Sequence, residues 1–141
     1  MSIIRRMGKE LKETPPMGIF LIDANDISKQ SWDINLSDVP DERIRNQKIR
    51  VSVEVPSDYP FKPPHITLQN NLFHPNVIKN NMCLKTIISW TPKHKIIDVL
   101  TEIKNTIALP DLENPLCSEA FCLYKSNREK YYIAMFEILM K

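Results

Sequence analysis

Between Lys48 and Val55 the chain alternates without a slip: Ile49, Val51, Val53 and Val55 point one way, Arg50, Ser52 and Glu54 the other. A period of two sends every second side chain to one face of a sheet, so this segment is a strand with one apolar face to cover. Ser31 to Leu36 repeats the alternation around Trp32, Ile34 and Leu36. Ile19 to Ile22 is short and apolar, and His65 to Leu68 turns Ile66 and Leu68 inward. Successive strands with turn-sized gaps and no helix between them predict an antiparallel meander.

Helical spacing brackets these strands. Ile3, Ile4, Met7 and Leu11 predict an opening helix over Ser2 to Glu13, with Ser2 as N-cap and Thr14-Pro15-Pro16 as its stop. Leu72 to about Lys95 has little periodicity, and a long irregular stretch inside a compact domain is a candidate functional segment. Beyond it, Ile96, Leu100, Ile103 and Ile107 form a core stripe that Pro110 breaks. Leu116 to Lys125 and Arg128 to Met140 read as two further helices, the last with Tyr132, Met135, Phe136 and Leu139 on one face. The expectation is an α+β fold in one domain over residues 1–141: an N-terminal helix, a four-stranded antiparallel meander, an irregular active-site segment, then C-terminal helices.

Composition narrows the function classes. With 43% hydrophobic and 26% charged residues and a formal charge of +2, the 141-residue chain is neither disordered nor a basic polymer binder. Nucleic acid is therefore not an expected partner. No apolar signal segment opens the sequence, nothing approaches membrane-spanning length, and the C-terminal Ile138-Leu139-Met140-Lys141 has no lipidation box. Three cysteines, Cys83, Cys117 and Cys122, cannot all pair within one chain. A reducing cytoplasmic or nuclear compartment, with no membrane and a monomeric state, is the expectation. Eleven prolines against two glycines suggest extended, rigid connections rather than hairpin turns that need positive φ.

The irregular stretch carries the chemistry. After Phe73, the run His74-Pro75-Asn76 leads to Cys83 within ten residues, and Trp90-Thr91-Pro92 follows. Just before it, Tyr59-Pro60-Phe61-Lys62-Pro63-Pro64 makes a proline-locked corner. A thiol near a side-chain amide suits acyl transfer, because the thiolate attacks a carbonyl and the amide N–H can meet the developing oxyanion. Cys117 and Cys122 sit in a helical segment without that context, and their spacing is no recognised metal pair. His65 and His94 read as surface or satisfied residues, so no metal site is expected.

These motifs together resemble the ubiquitin-conjugating enzyme family. Pro56-Ser57-Asp58-Tyr59-Pro60-Phe61-Lys62-Pro63-Pro64 is similar to the segment after that family's third strand, and His74-Pro75-Asn76 to its signature tripeptide upstream of the active cysteine. Trp90-Thr91-Pro92 resembles the family's Trp-x-Pro. Pro115-Leu116 and Tyr124-Lys125-x-x-Arg128-Glu129-Lys130-Tyr131 resemble its C-terminal helices, and Arg5-Arg6-x-x-Lys9-Glu10-Leu11 its first helix.

The resemblance implies that Cys83 holds ubiquitin or a ubiquitin-like protein as a thioester, received from an activating enzyme and passed to a substrate lysine or a ligase cysteine. It implies that His74 clips the loop through ring hydrogen bonds to backbone, with Pro75 supporting it. Asn76 either stabilises the oxyanion or shapes the active-site loop. Phe61 and Pro92 would dock ligases of the RING, HECT or RBR type, and Arg5, Arg6 and Lys9 would meet the activating enzyme. No cofactor is implied, since ATP is used upstream.

Departures from the family pattern bear on the recipient. The spacings from His74 to Cys83 and from Cys83 to Trp90 are short, Lys79-Asn80-Asn81-Met82 lacks the usual glycine, and paired glycines before the third strand fall on Asn46-Gln47, so turns with positive φ are expected to be taken by asparagine or rebuilt. Lys85 and Asn114 stand where many relatives carry acidic residues. An acid there would help deprotonate an incoming lysine amine, whereas a cysteine ionises readily, so transfer to a ligase cysteine is favoured. The rival readings are an inactive scaffold of the same fold, a conjugating enzyme for the neddylation modifier, and a hydrolase pairing Cys83 with His74.

Overall fold

The computed structural model describes residues 19–21, 31–36, 39–41, 43–44 and 47–139, the first two segments as backbone only. The helix expected over Ser2 to Glu13, with Arg5, Arg6 and Lys9, lies outside the described residues, as do Ile22, Asn46 and Met140.

Four strands form one antiparallel sheet in chain order: β1 (Ile19–Leu21), β2 (Ser31–Leu36), β3 (Ile49–Glu54) and β4 (His65–Leu68). This is the meander that the alternating segments predict. The register pairs Val51 with Leu68 and Val53 with Ile66, so the inward residues of β3 and β4 lie side by side. Ile49, Val51, Val53, Ile66 and Leu68 are all buried. A one-residue slip of β3 would turn Arg50, Ser52 and Glu54 into that layer, which is what fixes the pairing.

The second layer is helical. After the sheet come α1 (Lys85–Ile88), α2 (Ile96–Ala108), α3 (Ser118–Ser126) and α4 (Arg128–Leu139). In α2, Ile96, Val99, Leu100, Ile103 and Ile107 recur at helical spacing and join the sheet residues in one apolar core. Asp98 starts this helix by accepting the Lys95 backbone N–H at 2.8 Å. Pro110 stops it, because the preceding Leu109 is forced into extended geometry, φ −133° and ψ 93°.

Between α3 and α4 stands Asn127, whose side-chain oxygen accepts the Lys130 N–H at 3.1 Å and so caps α4. Tyr132 and Met135 of α4 are buried, and Phe136 and Leu139 pack on the core at its margin. Tyr131 is buried as well and meets Tyr124 edge-on with ring centroids 5.0 Å apart. The Tyr132 hydroxyl donates to Asp41 at 3.0 Å, tying α4 to the approach to β3.

The segment from Leu72 to Lys95 is more ordered than its sequence suggests. It contains a small hairpin of β5 (Val77–Ile78) and β6 (Asn81–Met82), followed by the single turn α1. The correction has a physical reason: two-residue strands and a one-turn helix are too short to show a hydrophobic period. The hairpin turn holds Lys79 at φ 49° and Asn80 at φ 65°. Two successive positive φ values mark the turn that matches strand twist, and asparagine tolerates this region better than lysine does. Here, then, asparagine does stand where a glycine would be usual.

Candidate active site

His74, Pro75 and Asn76 form a hub of hydrogen bonds, and all three are buried. The Asn76 backbone N–H donates to His74 Nδ1 at 3.0 Å. That nitrogen must therefore carry a lone pair, so the ring proton is on Nε2, which donates to the Thr106 carbonyl of α2 at 2.9 Å. The imidazole is thus a clip between the loop and α2. Burial pushes its pKa down from 6.5 to about 4, against a smaller opposing pull from the backbone carbonyls of Thr106 and Ile107. It is neutral at physiological pH with both nitrogens committed, which leaves the Cys83–His74 hydrolase without its base.

The Pro75 carbonyl accepts from Leu116 N at 2.7 Å and Cys117 N at 3.1 Å, which anchors the flap before α3. Asn76 works on two sides. Its carbonyl accepts the Cys83 N–H at 3.1 Å, while its side chain closes a two-bond ring with the backbone of Asp111: Nδ2 donates to Asp111 O at 2.7 Å and Oδ1 accepts from Asp111 N at 2.9 Å. Asn76 is 1% exposed. Of its two possible roles, this geometry supports shaping the loop.

Cys83 follows β6 directly and is partly exposed. Leu84 behind it is buried, which pins the thiol-bearing turn to the core. The next turn, α1, is held from α2: Glu102 accepts the backbone N–H of Lys85 at 2.6 Å and of Thr86 at 2.9 Å, together with the Thr86 hydroxyl. Carboxylate-to-amide bonds of this kind are strong, and they fix the backbone just past the thiol. Lys85 sends its side chain to Asp111, Nζ to Oδ2 3.7 Å, and Asp111 Oδ1 accepts the Glu113 N–H at 3.0 Å. Asn114 is exposed on the flap.

The proline corner and the Trp-x-Pro loop meet through Trp90, whose indole N–H donates to the Pro60 carbonyl at 2.7 Å. The Tyr59 and Trp90 rings stand 5.9 Å apart. On this braced pair of loops Phe61 is 77% exposed and Pro92 is exposed too. A fully displayed aromatic on a rigid corner is available to a partner rather than to the core. Cys117, at the N-cap of α3, packs partly on the core; Cys122 is exposed; all three cysteines are free. Among the described residues no group of three or more His, Cys, Asp or Glu side chains is arranged to hold a metal ion.

The structure links His74, Pro75, Asn76 and Cys83 through hydrogen bonds, with Lys85 two residues past Cys83. Sequence reasoning missed Glu102, Thr106 and Asp111. Each of these acts through a partner distant in the chain, and no local motif marks it.

The sequence matches the family model for ubiquitin-conjugating enzyme over residues 4–138. With the sheet, the helices and the tripeptide hub in place, the chain belongs to the ubiquitin-conjugating enzyme family, an α+β class of ubiquitin transferases that work through a cysteine thioester. Among its relatives is ubiquitin conjugating enzyme E2 B of Dictyostelium discoideum, 29% identical over 138 residues, covering 93% of this chain and 91% of that one. Ubiquitin-conjugating enzyme E2 2 of Candida glabrata is 30% identical over 125 residues, covering 87% and 74%.

Proposed function

We propose that Cys83 accepts the C-terminal carbonyl of ubiquitin from an activating enzyme and carries it as a thioester to a substrate lysine or a ligase cysteine. One observation carries this reading: Cys83 has a partly exposed thiol and a backbone N–H that donates to the Asn76 carbonyl of the tripeptide hub. No side-chain base needs to accompany such a thiol, because the incoming acyl group already arrives as a thioester on another cysteine. Cys83 thiolate attacks that carbonyl, the C–S bond to the donor breaks, and the donor leaves as a thiolate.

In this reading the hub residues position and do not react. His74 and Pro75 fix the loop and the flap, and Asn76 joins Cys83 to Asp111. Phe61 and Pro92 offer the apolar contact to ligases of the RING, HECT or RBR type, and Arg5, Arg6 and Lys9 the basic contact to the activating enzyme. ATP is consumed upstream and no cofactor takes part here. A cytoplasmic or nuclear monomer belongs to this reading; among the described residues no helix is long and apolar enough to cross a membrane.

Ubiquitin is the modifier favoured, with the neddylation modifier as the alternative. The protein is incubated with ATP, each modifier and its cognate activating enzyme, and the products are separated without reductant. A reductant-sensitive adduct with ubiquitin is expected. Adduct formation with the neddylation modifier alone would reassign the modifier, and none with any modifier would point to the inactive scaffold.

A further inference from the structure

We infer that His94 is a positioning residue for ligase docking: its ring nitrogen Nδ1 holds the Pro92 turn in the shape that a ligase meets. The inference rests on the reading of Phe61 and Pro92 as the ligase contact, and it adds the residue that keeps that contact in place.

Pro92 and Lys93 are the central residues of a turn whose ends are Thr91 and His94. His94 closes that turn twice. Its backbone N–H donates to the Thr91 carbonyl at 3.0 Å, the bond that defines such a turn, and proline suits the first central place. Its ring accepts the Thr91 N–H on Nδ1 at 3.1 Å, so one residue bonds both backbone groups of Thr91. Nδ1 carries a lone pair in this arrangement, and a side chain without an acceptor there could not make the bond. The same ring stands 5.5 Å from that of Trp90, whose indole N–H is held by the Pro60 carbonyl at 2.7 Å. A continuous path thus runs from the corner that displays Phe61, through Trp90 and His94, to the tip that displays Pro92.

A partner that spans Phe61 and Pro92 needs both apolar contacts at a fixed separation. A tip already held in place adds no ordering cost to the complex, whereas a loose one must be ordered on binding. Without an acceptor at position 94 the Thr91 N–H turns to water, and one of the two bonds that close the turn is lost. Association then weakens by about the worth of one neutral hydrogen bond. The ring takes no part in the step at Cys83, so the loss falls on docking.

The test compares the full chain with two variants. His94→Phe keeps a ring against Trp90 and has no acceptor; His94→Asn has an Oδ1 that can stand in for Nδ1 and no ring. Each is loaded with ubiquitin, and discharge per loaded molecule is followed against rising concentration of an isolated RING domain that accelerates discharge of the parent. His94→Phe should raise the KM for that domain on the order of threefold to tenfold with kcat unchanged, and should speed amide exchange at Thr91 by a similar factor. His94→Asn should stand closer to the parent in both measurements. Equal effects of the two variants, a change confined to kcat, or unchanged Thr91 exchange in His94→Phe would overturn the inference. A parent KM in Phe61→Ala would instead remove the docking reading, and the inference with it, as would failure of every RING, HECT and RBR domain to act on the loaded parent. Thermal melting identifies a fold defect, and His94→Leu provides a second variant without an acceptor if the phenylalanine chain melts early.

Discussion

Acidification from pH 7 to pH 4 lowers the unfolding free energy of this protein by about 3 kcal/mol through His74 alone. The sign follows from the two pKa values. Unfolded, the ring titrates near 6.5; folded, burial holds it at about 4. Between those values the unfolded chain binds a proton that the native state refuses, so stability rises with pH across that window. The contribution is fully present above pH 6.5, is lost as pH falls through 4, and is constant below. Against a total stability of about 5–15 kcal/mol for a domain of this kind, the loss is large. Urea unfolding at several pH values checks it, comparing the parent with His74→Gln, whose side chain cannot titrate. Carboxylates protonate in the same range in both proteins, so the difference in slope isolates the ring. Equal slopes would mean that His74 is not the neutral buried clip described above.

Asn76→Ala is expected to cost about 1–3 kcal/mol of stability and to slow discharge to both lysine and cysteine by tenfold or more. The two bonds to Asp111 vanish, and its N–H and C=O are left without the amide that paired them. The flap carrying Asp111, Leu116 and Cys117 should loosen as a unit, because it is held by the same hub. Amide exchange read at Asp111 and Leu116 separates the two roles open to this residue. A positioning role predicts exchange at least tenfold faster, matching the lost stability. Slower discharge with unchanged exchange and unchanged stability would make Asn76 a direct oxyanion donor instead.

How far the sequence carried differs from element to element. β3 was legible because Ile49, Val51 and Val53 alternate with polar residues and only one register buries them. α2 was legible because Ile96, Leu100, Ile103 and Ile107 hold helical spacing up to a proline stop. Both signals are local, since each lies within a single element. The hairpin of β5 and β6 and the turn α1 gave no such signal, being too short for a period to show. Their order comes from elsewhere: α1 is capped by Glu102 in another helix, and Leu68 N–H bonds Asn80 O behind the hairpin.

The site divides in the same way. His74-Pro75-Asn76 and Cys83 were legible as residue types in a recognisable order. What the Asn76 amide binds was not, because its partner is Asp111, a residue whose immediate neighbours carry no motif. Lys85 looked like a lost acid. In three dimensions it is half of an ion pair, and an acid is present after all, on a different segment.

Cys83, and neither Cys117 nor Cys122, is the proposed acceptor thiol. The most direct measurement is intact mass under non-reducing conditions after incubation with ubiquitin, activating enzyme and ATP, made on the parent chain and on Cys83→Ala, Cys117→Ala and Cys122→Ala. One ubiquitin should be added to the parent and to the last two variants, removed by reductant, and none to Cys83→Ala. A reductant-sensitive adduct that persists in Cys83→Ala would contradict this assignment.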